Sequence, residues 1–437
     1  MIVTSLDPVR IADAVWVEDG RVATPGRGVK VDGELVVPGN VCAHTHLYSA
    51  LARGMPYRLP PPENFLQILQ RIWWRLDRAL DEETIRASAL VGGMEALLSG
   101  TTTVVDHHAS PNTIEGSLEV IHDALASLGV RHVLCYEVSD RDGPERASEG
   151  IEENRGFLDR VRRERPPLAR ALVGAHASFT LSDETLAACA ELGPLHVHAA
   201  EDRVDYGAVA RLARLGVLHE DTLLAHGVHL DPAELDLVGK AGATLAHNAR
   251  SNMNNAVGRL PAFPPRVALG TDGIGADMFE ESRTAFFRLR EEHGAAPDWP
   301  LSRLAESARL AGRLFDEPLL GTLEPGAPAD LVVLDYPAPA PLDAESFPGH
   351  WVFGLSSRHV RHVMVRGEWA VWDRRLCRID QTGLARAARP QAARLWQRIE
   401  EIPAHDFAPK GGDDGPRRAV PAGQASHPGR DALRTAR

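Results

Sequence analysis

The stretch LVVPGNVCAHTH, residues 35–46, is an apolar run that ends in two histidines. His44 and His46 are one residue apart, so on a β-strand both side chains lie on the same face. Two imidazoles that project together from the end of a strand suit a divalent cation that prefers nitrogen ligands, above all zinc. For the motif taken alone, a pair of hydrogen-bonded polar histidines is the alternative.

The rest of the chain extends this pattern into a predicted fold. Eight apolar runs alternate with helix-length segments, for which Asp81 and Ser182 are candidate N-terminal caps. Strands separated by helical crossovers predict a parallel (β/α)8 TIM barrel over residues 37–321. A doubly wound sheet is the alternative, but no glycine-rich phosphate loop follows the first run. The predicted strands are residues 35–42, 101–106, 131–138, 171–175, 195–198, 222–225, 243–246 and 267–270.

The flanking segments differ from the barrel. Residues 1–36 and 322–378 are short alternating runs with glycine turns, which predict one small β-sandwich domain built from both chain ends. Residues 379–403 predict a C-terminal helix that Pro390 kinks or splits. The glycine, proline and charge content of residues 404–437 predicts a disordered tail.

Composition and charge exclude several classes of protein. The chain has 437 residues, of which 44% are apolar and 25% charged, as in an ordinary globular protein. The formal net charge of -12 argues against binding to nucleic acid or anionic membranes. We see no signal peptide and no apolar run near the roughly 18 residues of a membrane span. The four cysteines form no CxxC motif, so we expect reduced thiols and a cytoplasmic protein.

Titratable residues recur where the predicted strands end, which is the edge that carries the active site in barrels of this kind. Three histidines and a carboxylate, with one position left for water, describe a catalytic zinc site. We predict that His44, His46, His198 and Asp272 are the metal ligands. Two-metal barrels often bridge their ions with a modified lysine on the fourth strand, but no lysine lies between Lys30 and Lys240. One divalent ion is therefore the simpler prediction, with Zn2+ expected and Fe2+ left open.

The remaining polar residues suggest catalytic roles. A bound zinc ion lowers the pKa of its water to roughly 7, and Asp272 can accept the proton that this water loses. Glu201 lies three residues after His198, so a helical turn would return its carboxyl to the site as a general acid. An exposed carboxylate in the first turn of a helix is the alternative for Glu201. We expect His226 to stabilise the attacking water or the developing tetrahedral oxygen.

Three further residues are predicted to contact the substrate. His176 follows the fourth strand, although a hydrogen bond to a backbone carbonyl is its alternative role. Trp73 and Trp74 lie in an aromatic-rich insertion, residues 55–80, whose length beside a site is typical of a lid. Their rings offer a stacking surface for a flat heterocycle, with core packing as the alternative. The roles of His107, His108 and the loop after His247 stay open.

Several motifs resemble the amidohydrolase superfamily, in particular the aminohydrolase and chlorohydrolase branch that includes guanine deaminase. The resemblance covers about residues 1–378 and implies the same barrel, metal ligands and acid–base residues. Residues 73–77, WWRLD, and 176–183, HASFTLSD, are most similar to the SsnA subgroup of aminohydrolases, which is associated with purine breakdown. The motifs are Pro38-Gly39 before His44-x-His46, GTTT at 100–103, GAH at 174–176, His198-x-x-Glu201, AHGVHL at 225–230, GTDG at 270–273 and GTLEPGAPADL at 321–331.

These observations predict a hydrolase acting on carbon–nitrogen bonds other than peptide bonds. We expect it to deaminate a nitrogen heterocycle, purine-like, by attack of a metal-bound hydroxide. Hydrolysis of another ring substituent (chloride, alkylamine or a ring amide) is the alternative, and a catalytically silent scaffold is a further one. The expected partner is a small heterocyclic molecule, with neither nucleic acid nor membrane. Exact substrate, leaving group, native metal and any homo-oligomer stay open.

Overall fold

The computed structural model describes residues 1–291 and 294–409. Within these residues, the helices are too short or too polar to cross a membrane. The strands are β1 Ile2–Leu6, β2 Val9–Ala12, β3 Val15–Glu18, β4 Arg21–Ala23, β5 Val29–Val31, β6 Leu35–Pro38, β7 Asn40–Thr45, β8 Thr101–His108, β9 Arg131–Tyr136, β10 Ala169–Ala171, β11 Val173–Ala177, β12 Leu195–Ala199, β13 Leu223–His226, β14 Thr244–His247, β15 Val267–Leu269, β16 Leu331–Leu334, β17 Val360–Val365, β18 Glu368–Trp372 and β19 Arg375–Leu376.

Helices lie between most of these strands. Asp81 and Ser182 cap α3 and α6 by accepting hydrogen bonds from backbone N–H groups, as the sequence predicts. The helices are α1 Phe65–Ile68, α2 Trp74–Ala79, α3 Glu82–Leu98, α4 Ser117–Leu128, α5 Pro144–Glu164, α6 Asp183–Leu192, α7 Ala208–Arg214, α8 Pro232–Ala241, α9 Ala249–Asn254, α10 Met278–Arg290, α11 Trp299–Phe315, α12 Phe347–Phe353 and α13 Gln381–Glu401. A π-helical turn, Leu69–Trp73, joins α1 to α2, and 3-10 turns lie at Leu47–Ala52, Ser178–Thr180, Arg203–Asp205 and Ser357–His359.

Two parallel sheets form the central α/β part of the molecule. The first has the order β10-β9-β8-β7, and the second has the order β11-β12-β13-β14-β15. Parallel bridges join the sheets at both margins, between Thr45 and Asp272 and between Val138 and Ala175. The predicted fourth strand is divided, since β10 belongs to the first sheet and β11 to the second. Parallel sheets with helical crossovers agree with the predicted class, and the closed eight-stranded barrel stays a prediction.

The predicted first strand, residues 35–42, is wrong as a single element. Leu35–Pro38 pairs with β1 and β16 in a peripheral sheet, and the chain enters the parallel sheet only with Asn40–Thr45. The change occurs at Gly39, where a Cβ atom would overlap the side chain of Thr102. A continuous apolar run carries no signal of where the chain passes from one sheet to another, because both strands are fully buried.

The peripheral sheet combines strands from both chain ends, as predicted. Its order is β19-β18-β17-β16-β6-β1-β2, and a second sheet has the order β4-β3-β5. Apolar side chains of both sheets share one buried cluster, which includes Ile2, Val15, Val36, Leu331 and Met364. The β-sandwich description stays a prediction.

Two predictions about the C-terminal region differ from the structure in part. Helix α13 is not split at Pro390, because the buried face formed by Ala388, Leu395 and Ile399 supports it across the lost hydrogen bond, and a kink at Pro390 stays a prediction. The predicted disordered tail begins at residue 404, but residues 404–409 pack on the insertion formed by residues 55–80. The ring of His405 is buried 5.2 Å from that of Trp74. Residues 410–437 lie outside the described part of the chain.

A buried ion pair joins the parallel sheets to the peripheral sheet. Arg131, the first residue of β9, lies with its Nη2 atom 2.9 Å from Oδ2 of Asp330. Both side chains are essentially inaccessible to solvent, and the backbone N–H of Arg366 donates to Oδ1 of Asp330. Removing one partner of such a pair leaves an uncompensated buried charge, which costs far more than the pair contributes.

We therefore expect Asp330→Ala to lower the free energy of unfolding by about 3–5 kcal/mol. The control is Glu324→Ala, which removes the exposed ion pair with Arg10 and should cost less than about 1 kcal/mol. Urea unfolding followed by circular dichroism measures both. Equal midpoints for the two variants would contradict the structural role of the Arg131–Asp330 pair.

Candidate metal centre

Four predicted ligands meet at the carboxyl ends of three strands. His44 and His46 come from β7, His198 from β12, and Asp272 follows β15. One ligand atom from each residue lies within 4.8 Å of all the others, and all four residues are buried. Nε2 of His46 is 3.2 Å from Nε2 of His198 and 3.0 Å from Oδ1 of Asp272. The same Oδ1 atom is 3.5 Å from Nε2 of His44.

The other ring nitrogen of each histidine is already engaged. Nδ1 of His46 donates to the carbonyl of His107, and Nδ1 of His198 donates to the carbonyl of His176. Nδ1 of His44 lies 2.9 Å from Nε2 of His196. The two carbonyl contacts require a protonated Nδ1 on His46 and His198, and the three contacts together turn the Nε2 atoms towards one another.

Such an arrangement fits a divalent cation. Nε2 of His44 has no hydrogen-bond partner, although it is buried. Ligands about 2.0–2.1 Å from a tetrahedral zinc ion stand about 3.3 Å apart, which is close to the separations found here. Burial lowers the pKa of His44 to about 3, which keeps it neutral. Burial lowers and contact with Asp272 raises the pKa of His46, to about 9 on balance, so a bound cation would displace a proton there.

The backbone and side chains of β7 hold Asp272 in place. The carbonyl of His44 accepts a hydrogen bond from the N–H of Asp272, and Oγ1 of Thr45 donates to the Asp272 carbonyl. Oγ of Ser251 donates to Oδ2 of Asp272, which leaves Oδ1 facing the histidines. The residue adopts a φ of 52°, unusual for any residue other than glycine. Strained backbone of this kind persists where the surroundings hold it in place.

Glu201 and His226 lie beside the four ligands. Nε2 of His226 is 3.5 Å from Oε2 of Glu201, while Nδ1 of His226 lies 2.8 Å from Oδ1 of Asn252. Burial raises the pKa of Glu201 to about 7, so its carboxyl can carry a proton near neutral pH. The helical turn predicted after His198 is absent, because Ala200 adopts a φ of 50° and turns the chain instead. The carboxyl nevertheless reaches the site.

A cavity opens next to these groups. All three residues predicted to contact the substrate line it. The ring of Trp73 lies 6.0 Å from that of His46 and packs where a Cβ atom on Gly273 would overlap it. Trp74 is fully buried and edge-on to His176, so core packing is at least part of its role.

Sequence reasoning missed two acidic residues of this cavity, Asp205 and Glu137. Glu137 directly follows β9, at the same edge as the predicted ligands, and this position could have revealed it. Its Oε2 atom lies 3.1 Å from Nδ1 of His107, and Nε2 of His107 lies 3.0 Å from the carbonyl of His196. His107 therefore supports its neighbours with both ring nitrogens. His108 contacts Ser110 instead.

His247 lies apart from the four ligands, with its ring 5.5 Å from that of Phe263. His196 was also missed in the sequence. It precedes His198 by two residues on β12, so the alternation of side chains along a strand places both on one face.

Comparison with known proteins identifies the family. Residues 35–370 match the Amidohydrolase family, and the chain belongs to it. A 5-methylthioadenosine/S-adenosylhomocysteine deaminase from Desulforudis audaxviator is 30% identical over 88% of this chain and 95% of its own. A 5'-deoxyadenosine deaminase from Methanopyrus kandleri is 29% identical over 80% of this chain and 84% of its own.

A solved structure shares the fold. The crystal structure of an adenosine deaminase from Xanthomonas campestris with bound zinc matches with a TM-score of 0.78 at 24% identity. The match covers 92% of this chain and 97% of that one. The predicted membership of the amidohydrolase superfamily is confirmed, and the finer resemblance to the SsnA subgroup stays a prediction.

The geometry predicts that metal content depends on Asp272. We expect Asp272→Asn to lower bound zinc at least tenfold at limiting zinc, because it removes the one anionic ligand from the cluster. Asp202→Asn is the matched control, since Asp202 caps a neighbouring 3-10 turn outside the cluster. Elemental analysis of purified, dialysed protein measures both. Full zinc occupancy in Asp272→Asn would remove Asp272 from the ligand set.

Proposed function

We propose that this protein is a metal-dependent aminohydrolase that deaminates the purine-like ring of an adenosine-type compound. One observation carries the proposal. His44, His46, His198 and Asp272 converge beside the Glu201–His226 pair at a single cavity. The names of the curated relatives, which are deaminases of adenosine-type compounds, support the substrate class.

The four ligands would hold a single divalent cation, for which zinc is the first candidate because a related adenosine deaminase structure contains it. When bound, such an ion lowers the pKa of a coordinated water to about 7 and so makes it nucleophilic at neutral pH. Three imidazole nitrogens and one carboxylate oxygen form a ligand set of intermediate softness, which also suits iron.

The protein's own groups would move the protons. Asp272 would accept the proton that the attacking water loses, since its Oδ1 atom faces the ligand cluster. Glu201 would donate its proton to a ring nitrogen of the substrate and would then pass the proton held by Asp272 to the departing amine. As the carbonyl forms, the added hydroxyl would return a proton to Glu201. The new bond joins the water oxygen to the ring carbon, the carbon–nitrogen bond breaks, and ammonia leaves. His226 would stabilise the negative charge that develops on the attacking oxygen.

The cavity walls would orient the ring. Trp73 offers a flat face beside His46, and the buried ring of His176 lies on the side of Trp74. Nδ1 of His176 is 2.6 Å from Oγ1 of Thr180, which fixes the ring and leaves Nε2 towards Glu137. An aromatic face and a few fixed polar groups are the usual means by which small flat ligands are bound.

The finer structural and cellular predictions belong with this proposal. We infer that the two parallel sheets form one closed barrel and that the two peripheral sheets form a β-sandwich. We also infer a cytoplasmic enzyme of purine catabolism whose partner is a small heterocycle. The bridges at both margins of the parallel sheets and the shared apolar cluster support the structural part.

The proposal predicts that Glu201→Gln retains metal but loses turnover. An amide cannot deliver a proton, and general acid–base catalysis contributes about 10²–10⁴-fold, so we expect a loss of that size in kcat. Ammonia release from 5'-methylthioadenosine, 5'-deoxyadenosine, adenosine and guanine measures it. Elemental analysis checks that zinc is retained.

Glu145→Gln is the matched control, because this residue is exposed on α5 and lies outside the cavity. Chloride and alkylamine release from substituted triazines is measured in parallel. Zinc-loaded wild-type protein that releases no ammonia from any of these compounds would refute the deaminase proposal. Equal rates for wild type and Glu201→Gln would refute the role of Glu201.

A further inference from the structure

Apart from the histidines, the cavity side chains that can carry a charge at neutral pH are acidic, and a cation held by the ligand cluster would offset the charge of Asp272. Four acidic residues line the cavity (Glu137, Glu201, Asp205 and Asp272), and among the lining residues in the described chain none is lysine or arginine. Asp272 belongs to the ligand cluster, and Glu201 is the proposed acid. Glu137 has no role in the proposed reaction, although its side chain is almost completely buried.

The one arginine directly behind Glu137 is fully occupied. Arg141 is buried, and its Nη2 atom donates to Asp77. Its Nη1 atom lies 3.4 Å from Oε1 of Glu137, and its Nε atom lies 3.1 Å from Oδ2 of Asp142. Three carboxylates therefore surround a single guanidinium group. These carboxylates balance the positive charge of Arg141, so this residue offers no binding site for a substrate anion.

Glu137 itself has spare capacity to accept a hydrogen bond. Its Oε2 atom takes the close contact with His107, whereas Oε1 has only the 3.4 Å contact with Arg141 and a 3.7 Å approach to Nε2 of His176. Carboxylate oxygens usually accept more and shorter bonds than this. A hydroxyl, amino or ammonium group of a ligand would complete its coordination, whereas a carboxylate or phosphate placed at this oxygen would meet a like charge.

We propose, resting on the deaminase function above, that Glu137 is a specificity-determining residue of this cavity. It admits heterocycles whose substituent is neutral or cationic, and it rejects those that carry a carboxylate or phosphate. Among adenosine-type compounds, the protein therefore favours those with an uncharged 5' group. The selection is electrostatic and separate from the bond that the enzyme breaks.

Ligands that share a ring and size but differ in charge test this selection. The probes are S-adenosylhomocysteine and its methyl ester, together with adenosine 5'-monophosphate and adenosine. Isothermal titration calorimetry of the full-length, zinc-loaded Glu201→Gln variant measures binding without turnover. We expect the ester to bind at least tenfold more tightly than the free acid, and adenosine at least tenfold more tightly than its monophosphate.

Glu137→Gln, made in the same background, tests which residue is responsible. It preserves the shape of the side chain and removes its charge, so we expect the ester-to-acid ratio to fall at least fivefold. Glu145→Gln makes the same change at an exposed position on α5 and should leave the ratio unchanged. Circular dichroism checks that each variant is folded. If Glu137→Gln does not fold, the comparison of ester and acid in the protein that keeps Glu137 still decides whether anions are rejected.

The outcomes separate this inference from the proposed function. Binding of acid and ester within twofold of each other would overturn the selection, as would an unchanged ratio in folded Glu137→Gln or a failure of every neutral probe to bind. Ammonia release by the wild-type protein decides deamination independently. Equal ammonia release from both members of a pair would support deamination and refute the selection. Selective binding without any ammonia release would support the selection and refute deamination.

Discussion

The site depends on hydrogen bonds that turn three imidazole rings towards one point. His46 and His198 each donate from Nδ1 to a backbone carbonyl, and His44 is held by His196. The carbonyl groups at the strand ends cannot move without disturbing the sheet, so they hold the rings in fixed orientations. Against the lowering effect of burial, contact with Asp272 raises the pKa of His46 to about 9, so the closely held ring nitrogens and carboxylate stabilise positive charge, and a bound cation would take the place of the proton. The same contacts that fix the rings therefore create the affinity for a metal.

Much of this could be predicted because parallel strands with helical crossovers bring their carboxyl ends to one edge. Once the strands are located, residues such as His44, His198 and Asp272 must approach one another, although up to 228 positions separate them in the sequence. Spacing along a strand then decides which side chains share a face. His196 and Glu137 follow the same logic and could have been found by applying it to every strand end.

Other features depend on tertiary contacts that leave no periodic signal. The switch between sheets at Gly39 reflects the approach of Thr102, and the direction of Glu201 reflects the φ of Ala200. The continuity of α13 through Pro390 reflects the packing of its buried face, which outweighs the local penalty of proline. In each case a local preference was correct in itself and was overridden by packing.

The charges around Arg141 connect the cavity to the 55–80 insertion and to the C-terminal segment. Asp77 lies on α2 within this insertion, Glu137 lines the cavity, and Asp142 contacts the ring of His405 from the C-terminal segment. Burying one guanidinium with three carboxylates is costly, and an apolar cluster of similar volume would give a more stable core. The arrangement does what an apolar cluster could not. It places the Glu137 carboxylate in the cavity wall and holds the 55–80 insertion and the residues beside the C-terminal segment to the same arginine, so one cluster sets both the shape of the wall and its local charge.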